Sequence, residues 1–273
     1  MARTYMGVDQ LDTNRRPSDN VWRGAPILEY LVGQKGGFFD FDDFATMTAA
    51  GTNAALSKYK VVGTNGTAVL LASDDGGVIR CFTNTTANNE SYLCYGQAVG
   101  AVGQLTINTP NEWWFEARVR YQDIVNSGTF VGFTRPADMA SGFIVNGATA
   151  MIASSADYFG FSQYQGTPTA LNIVYNTAGT ETVYKANAQV IATNTWYKLG
   201  IRFGSQFDSN LVRFYINGKE VANTAGTLGV AANATNFPSA VKVAPIFAAK
   251  TSGTTSANLE IDWWRLCTVI DDQ

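Results

Sequence analysis

The stretch from Thr195 to Phe203 constrains this chain more than any other, because it alternates without a break. Tyr197, Leu199, Ile201 and Phe203 leave one side, while Lys198, Gly200 and Arg202 leave the other. A period of two belongs to a half-buried strand, since successive side chains point to opposite faces of the pleat. A second run sends Val212, Phe214 and Ile216 to one side and then meets Asn217-Gly218. Asn-Gly tolerates positive φ at both central positions of a type I′ turn. The two runs therefore predict a strand, a loop over 204–210, a second strand, a tight turn and a short return strand.

The same period recurs along the chain. Trp113, Phe115, Ala117, Val119 and Tyr121 alternate against Trp114, Glu116, Arg118 and Arg120. Short apolar runs at 58–62, 68–72, 77–82, 91–97, 103–107, 129–133, 150–153, 158–163, 172–175 and 181–185 are separated by Asn, Gly, Thr and Asp clusters. Runs at 241–249 and 259–269 close the series, and neither an internal repeat nor a sustained helical period interrupts it. Many short strands with turn signals between them predict an all-β antiparallel sandwich or jelly roll. At 273 residues the chain is long enough for one such domain with a full core.

Charge and residue usage narrow the chemistry. Charged residues make up 15% of the chain, against about 25% in an average globular protein, so the surface is neutral and turn-rich. A net charge of −3 gives no footing for nucleic acid, which draws on clustered Lys and Arg. No apolar run approaches the length of a membrane-spanning helix. Histidine is absent, which removes Ser-His-Asp and Cys-His catalysis, every His-ligated metal and the usual general base near neutral pH. Cys81, Cys94 and Cys267 lack metal-ligand spacing and predict buried free thiols. No cofactor or metal is expected. The first residues show neither an apolar core nor a cleavage pattern, so no signal peptide is expected and synthesis is placed in a cytosol.

Residues 1–36 differ from the rest and predict an arm, with the sandwich domain over 37–273. The arm carries Arg15, Arg16 and Arg23, with Trp22 and Tyr30 as its large apolar anchors. It has too few apolar groups for its own core, so it is expected either to be mobile alone and ordered against a partner, or to be a disordered tail or one that hugs its own domain. The domain opens on Phe39 and Phe41 alternating with Asp40 and Asp42, followed by Asp43. Three carboxylates this close suggest Ca²⁺, but the Gly and distal Glu of a calcium loop are missing, and a solvated strand face is the expectation.

Trp196, Leu199 and Ile201, followed by Val212-Arg-Phe-Tyr-Ile-Asn-Gly-Lys-Glu-Val221, resemble the late hairpin of concanavalin A-like jelly rolls of the laminin-G and glucanase type. Joined in order by 113–120 and 259–265, the set is similar to lectin-like structural and decoration proteins of tailed phages. The resemblance covers roughly residues 37–273. It implies a non-enzymatic virion structural protein on the capsid surface, clamping the major capsid protein as a homotrimer. In that reading Arg15, Arg16, Trp22, Arg23 and Tyr30 grip the neighbouring subunit. The alternative is a carbohydrate-binding module of a phage fibre, or another lectin-like protein, recognising host glycans. One fold hosts all of these roles, so the choice rests on the site.

Two features bear on that choice. Glucanases of this fold class carry Glu-x-Asp-x-Glu or Glu-x-Asp-x-x-Glu, and Glu260-Ile-Asp262 matches its first half. Trp264 and Arg265 stand where the second glutamate belongs, and retaining glycosidases need two such carboxyl groups. With Leu259, Ile261 and Trp263 turned inward, Glu260 and Asp262 are expected to face water, and no enzyme is expected. Strand parity also turns Trp114, Trp196 and Trp264 away from the core, which predicts partial exposure and a glycan or subunit contact.

Overall fold

Alternation and turn chemistry together produce a two-layer, almost wholly β architecture. The computed structural model describes residues 15–27, 37–44, 58–71, 77–96, 105–107, 112–145, 152–177, 179, 181–204, 210–239, 241–253 and 255–269. In chain order the elements begin with one helical turn, α1 Asp19–Trp22, then β1 Gly37–Asp42, β2 Tyr59–Val62, β3 Gly66–Leu71, β4 Val78–Thr83 and β5 Glu90–Tyr95. They continue with β6 Leu105–Thr106, β7 Glu112–Tyr121, β8 Ser127–Thr134, β9 Tyr158–Gln163, β10 Ala170–Asn176 and β11 Thr182–Val190. The last are β12 Trp196–Phe203, β13 Leu211–Ile216, β14 Lys219–Glu220, β15 Val230–Ala231, β16 Lys242–Thr251 and β17 Asn258–Val269.

Among the described residues the strands form two antiparallel sheets. The first runs β14-β13-β12-β7-β17-β4-β3, with β1 also paired to β17 and β15 to β13. The second runs β11-β10-β9-β8-β16-β5-β2, with β6 also on β16. The core lies between them and is dense in aromatic rings. Phe133 and Phe159 stack with centroids 5.1 Å apart, and Phe115 meets Phe133 edge-on at 4.9 Å. Tyr197, Leu199, Ile201, Phe203, Val212, Phe214 and Ile216 all face this core, as their alternation predicts. Burying each side chain of this size is worth about 1.5–3 kcal/mol. The turn between β13 and β14 has Asn217 and Gly218 both at positive φ, 50° and 76°, the type I′ geometry that closes a hairpin without splaying it.

β17 departs from the expected parity. Ile261 pairs Val119, but the next pair is Trp263 with Arg118, so Asp262 is an extra residue. Such a bulge shifts the alternation of everything after it. Trp264 and Leu266 therefore enter the core, and Trp263 joins the outer face beside Arg265. The expected inward Trp263 and outward Trp264 are corrected by that one residue.

Both outer faces are covered in part. On the second sheet, Met139, Phe143, Ile144, Ile152 and Ala156, from the segment joining β8 to β9, pack over Tyr92, Phe130, Tyr158 and Ile246. On the first sheet the cover comes from the arm. Val21 of α1 is fully buried against Gly200, where an added Cβ would sit 2.7 Å from its Cγ2. Trp22 and Ala25 pack with Trp114, Cys267, Val269 and Phe39. Of the expected fates of the arm, residues 15–27 follow the one in which it packs on its own domain, because its few apolar groups find a surface prepared by the same chain.

Candidate functional site

The outer face of the first sheet collects most of the residues that the sequence singles out. Arg118 and Arg120 on β7 alternate outward, and Glu260 and Asp262 on β17 lie beside them. Glu260 is fully buried and accepts from Arg80, from Arg120 Nε and from Gln122 Nε2 at 2.8 Å. Asp262, 1% exposed, accepts from Arg118 Nη1 at 2.7 Å and from Arg15 Nε at 3.0 Å. The expectation that these carboxylates face water is corrected: four guanidiniums and the arm enclose them. Burying a carboxylate is costly unless it is paired and hydrogen-bonded, and both conditions are met here.

Further along the same face, Glu116 is buried opposite Arg265. Its Oε2 accepts from the backbone N–H of Ser18 at 2.9 Å and from the Trp22 indole N–H at 2.8 Å. Burial pushes its carboxyl above the ordinary glutamate range, with the Ser18 and Trp22 hydrogen bonds and the Lys198 charge opposing. Burial likewise lowers Arg265. Lys198 Nζ donates to the Arg16 carbonyl at 3.1 Å, which ties the arm to β12 as well.

The three tryptophans expected to face outward separate clearly. Trp264 is fully buried, its N–H donated to Tyr59 Oη at 2.7 Å, and Tyr59 in turn donates its O–H to Asp42 at 2.6 Å. Trp114 is 1% exposed beneath the arm, with the Arg202 guanidinium 5.7 Å from its ring. Neither has the partial exposure that parity predicts, the first because of the bulge and the second because of α1. Trp196 alone of the three stays half-buried. The Arg118 and Arg120 guanidiniums lie 4.3 and 4.4 Å from its ring centroid.

Of the arm residues expected to grip a partner, Arg15 is engaged by Asp262 and Trp22 by Glu116. Arg16 and Arg23 are exposed, and Tyr30 lies outside the described residues. Asp40 accepts from Lys58 at 2.8 Å and Tyr95 at 2.6 Å, while Asp42 caps the Phe44 N–H at 2.8 Å. These aspartates organise the start of the domain around two tyrosines instead of lining a wet face. The three cysteines are buried and free, with burial pushing Cys81 and Cys267 up to about 12.

Sequence reasoning missed a second constellation, on the other sheet. Tyr158 and Tyr164, at the two ends of β9, both donate to Glu181, Tyr158 at 2.7 Å. Burial raises the Glu181 carboxyl, and the two phenols oppose that rise. It also missed the ion pairs of the first sheet, although Arg118 and Arg120 alternating on one strand and Glu260 and Asp262 on another were a legible signal.

Comparison with solved structures matches this architecture over most of its length. The Emp47p carbohydrate recognition domain is similar at TM-score 0.52 and 10% identity, over 84% of this chain and 94% of that one. LamAcat from Zobellia galactanivorans is similar at 0.54 and 9%, over 83% and 96%. A GH16 protein of Bacteroides ovatus, solved with a G4G4G3G product, is similar at 0.53 and 10%, over 83% and 99%. The fold is the concanavalin A-like sandwich. No protein-family model and no curated protein matches the chain. The comparisons also correct the expectation of a non-enzyme. Glycoside hydrolases stand among the structures of this fold that the chain resembles, so the architecture gives no ground for excluding catalysis.

Proposed function

We propose that this chain is a lectin-like carbohydrate-recognition domain, and that the outer face around Trp196 is where it meets its ligand. The observation that carries this is the fate of the three tryptophans expected to face outward: Trp264 lies in the core and Trp114 is sealed, while Trp196 stays half-buried among polar groups. Arg80, Arg120 and Gln122 converge beside it on Glu260, each only partly buried. An aromatic edge framed by oriented hydrogen-bond donors suits a saccharide, which offers hydroxyl acceptors and apolar C–H surface together. Likeness to the Emp47p carbohydrate recognition domain supports the reading at the level of the fold.

Capsid decoration, with the major capsid protein as partner and a homotrimer on the virion surface, is supported by sequence resemblance alone. Its proposed grip loses Arg15 and Trp22 to contacts within the chain. The carbohydrate reading needs no such residues. A glycan array run with the wild type and Trp196→Ala tests it. A reproducible hit that weakens at least about tenfold in the variant, or about 1.4 kcal/mol, is expected. An array without hits, or hits that ignore the substitution, would overturn it.

A further inference from the structure

We infer that the groove holding the arm on the first sheet also takes the arm of a second copy, so that two chains dimerise by exchanging residues 15–27. The inference is independent of the saccharide ligand. Its first ground is how closely the groove fits that one segment. Val21 fills the space that Gly200 leaves, where an added Cβ would lie 2.7 and 3.2 Å from its two methyl carbons. Glu116, fully buried, takes the Ser18 backbone N–H and the Trp22 indole N–H on one oxygen. Asn20 Nδ2 donates to the Gly218 carbonyl at 3.0 Å, and Lys198 Nζ to the Arg16 carbonyl at 3.1 Å. These hydrogen bonds join the arm to residues 94 to 198 positions away in sequence. None of them depends on which chain supplies the arm.

The second ground is the length of the connection. Nine residues, 28–36, join the arm to β1, and ten steps of chain reach roughly 33–36 Å at full extension. Yet Trp22 and Phe39, on either side of that connection, meet edge-on with ring centroids 6.4 Å apart. Within one chain the connection joins points that lie close together, and its length covers the distance to a neighbouring body as well. The groove is itself beside β1, since Phe39 packs with Trp114, Cys267 and Val269. Two bodies that meet near their β1 strands therefore bring each groove within reach of the other's arm.

Mass action decides when the exchange is seen. The exchanged contacts are the same contacts, so the closed chain and the pair differ mainly in lost freedom of motion. A connection of this length supplies the chain's own arm at an effective concentration on the order of millimolar. Separate chains are therefore expected in dilute solution, and exchanged pairs near millimolar protein or where bodies are held side by side. Each arm enters the partner's groove by the same contacts, so the pair is two-fold and closes on itself.

Disulfide trapping between two full-length variants tests this. Ser18→Cys puts a thiol on the arm, and Gly218→Cys puts one on the body, where an added Cβ lies 3.0 Å from the Ser18 Cβ. That is within about half an ångström of disulfide spacing. Neither variant holds both new thiols, so a disulfide between them joins two chains and reports exchange. Mixed at about 0.5 mM under mild oxidation, the variants should give a covalent heterodimer whose yield falls on dilution. The yield should exceed by about tenfold that of Ser18→Cys mixed with Val125→Cys, a position 63% exposed. A second pair needs no new cysteine. Gly200→Val keeps the arm and blocks its socket, while Val21→Asp keeps the socket and spoils the arm. Each alone should be monomeric by light scattering, and the mixture should show twice the chain mass of 29.4 kDa. A heterodimer yield no higher than that of the Val125→Cys control would overturn the exchange. So would a mixture of Gly200→Val and Val21→Asp that stays monomeric while both melt cooperatively.

Discussion

Trp22 donates its indole N–H to Glu116 across 94 residues of sequence, at 2.8 Å, and so pins the arm to the centre of the first sheet. The contact makes the arm part of the fold. Trp22→Phe keeps the ring but removes the donor, leaving a buried carboxylate short of one partner. A loss of about 1–3 kcal/mol is expected. Removing residues 1–27 should cost more, because it also uncovers Trp114, Glu116 and the socket of Val21. Thermal denaturation of both variants measures this, and unchanged melting in the truncation would show that the arm does not hold on.

Gly200 gives the arm its depth. Gly200→Val forces a side chain into the space of Val21, with the first clash at 2.7 Å for the Cβ alone. The strand tolerates valine, so the sandwich should stay folded while residues 15–27 lift away. Limited proteolysis should then cut within the arm in the variant and spare it in the wild type.

Glu116 should make stability depend on pH in a defined direction. Its carboxyl is raised above the ordinary value of 4.5 by burial. A raised folded-state value means the stabilising contribution is fully present below the unfolded-state value and is lost as pH rises through the folded one. Glu116→Gln keeps an acceptor for Ser18 and Trp22 without that penalty. Relative to wild type, the glutamine variant should gain melting temperature as pH rises from 4 towards neutrality, and the difference should shrink in acid.

Glu260→Ala should be among the most damaging single changes on the outer face. It leaves Arg80 and Arg120 without their buried counter-ion, and breaking such a pair typically costs about 3–5 kcal/mol. Lys198→Ala, which removes an exposed contact to the Arg16 carbonyl and a charge that acts on Glu116, should cost less, about 1 kcal/mol or below. Equal urea midpoints for the two would contradict the pairing.

The architecture was legible where a local rule governs it. The strict alternation of β12 and the Asn217-Gly218 turn announce a half-buried hairpin, and the structure has both. What escaped depends on contacts distant in sequence. The bulge at Asp262 is a matter of register against β7, and no pattern within β17 signals it. Trp114 is outward by parity, yet it is sealed by a helical turn about ninety residues earlier in the chain. Charge on neighbouring strands was the one overlooked signal. Glu260 and Asp262 could have been matched to Arg118 and Arg120 once the two strands were placed side by side.

The location of the ligand face is the central claim, and chemical-shift mapping tests it most directly. An amide and indole NMR spectrum of the whole chain would be titrated with the strongest saccharide hit from the array. The account predicts the largest shifts at the Trp196 indole and at Arg80, Arg120 and Gln122, with the second sheet silent. Shifts centred on Tyr158, Tyr164 and Glu181 instead would contradict it and move the site to the opposite face of the sandwich.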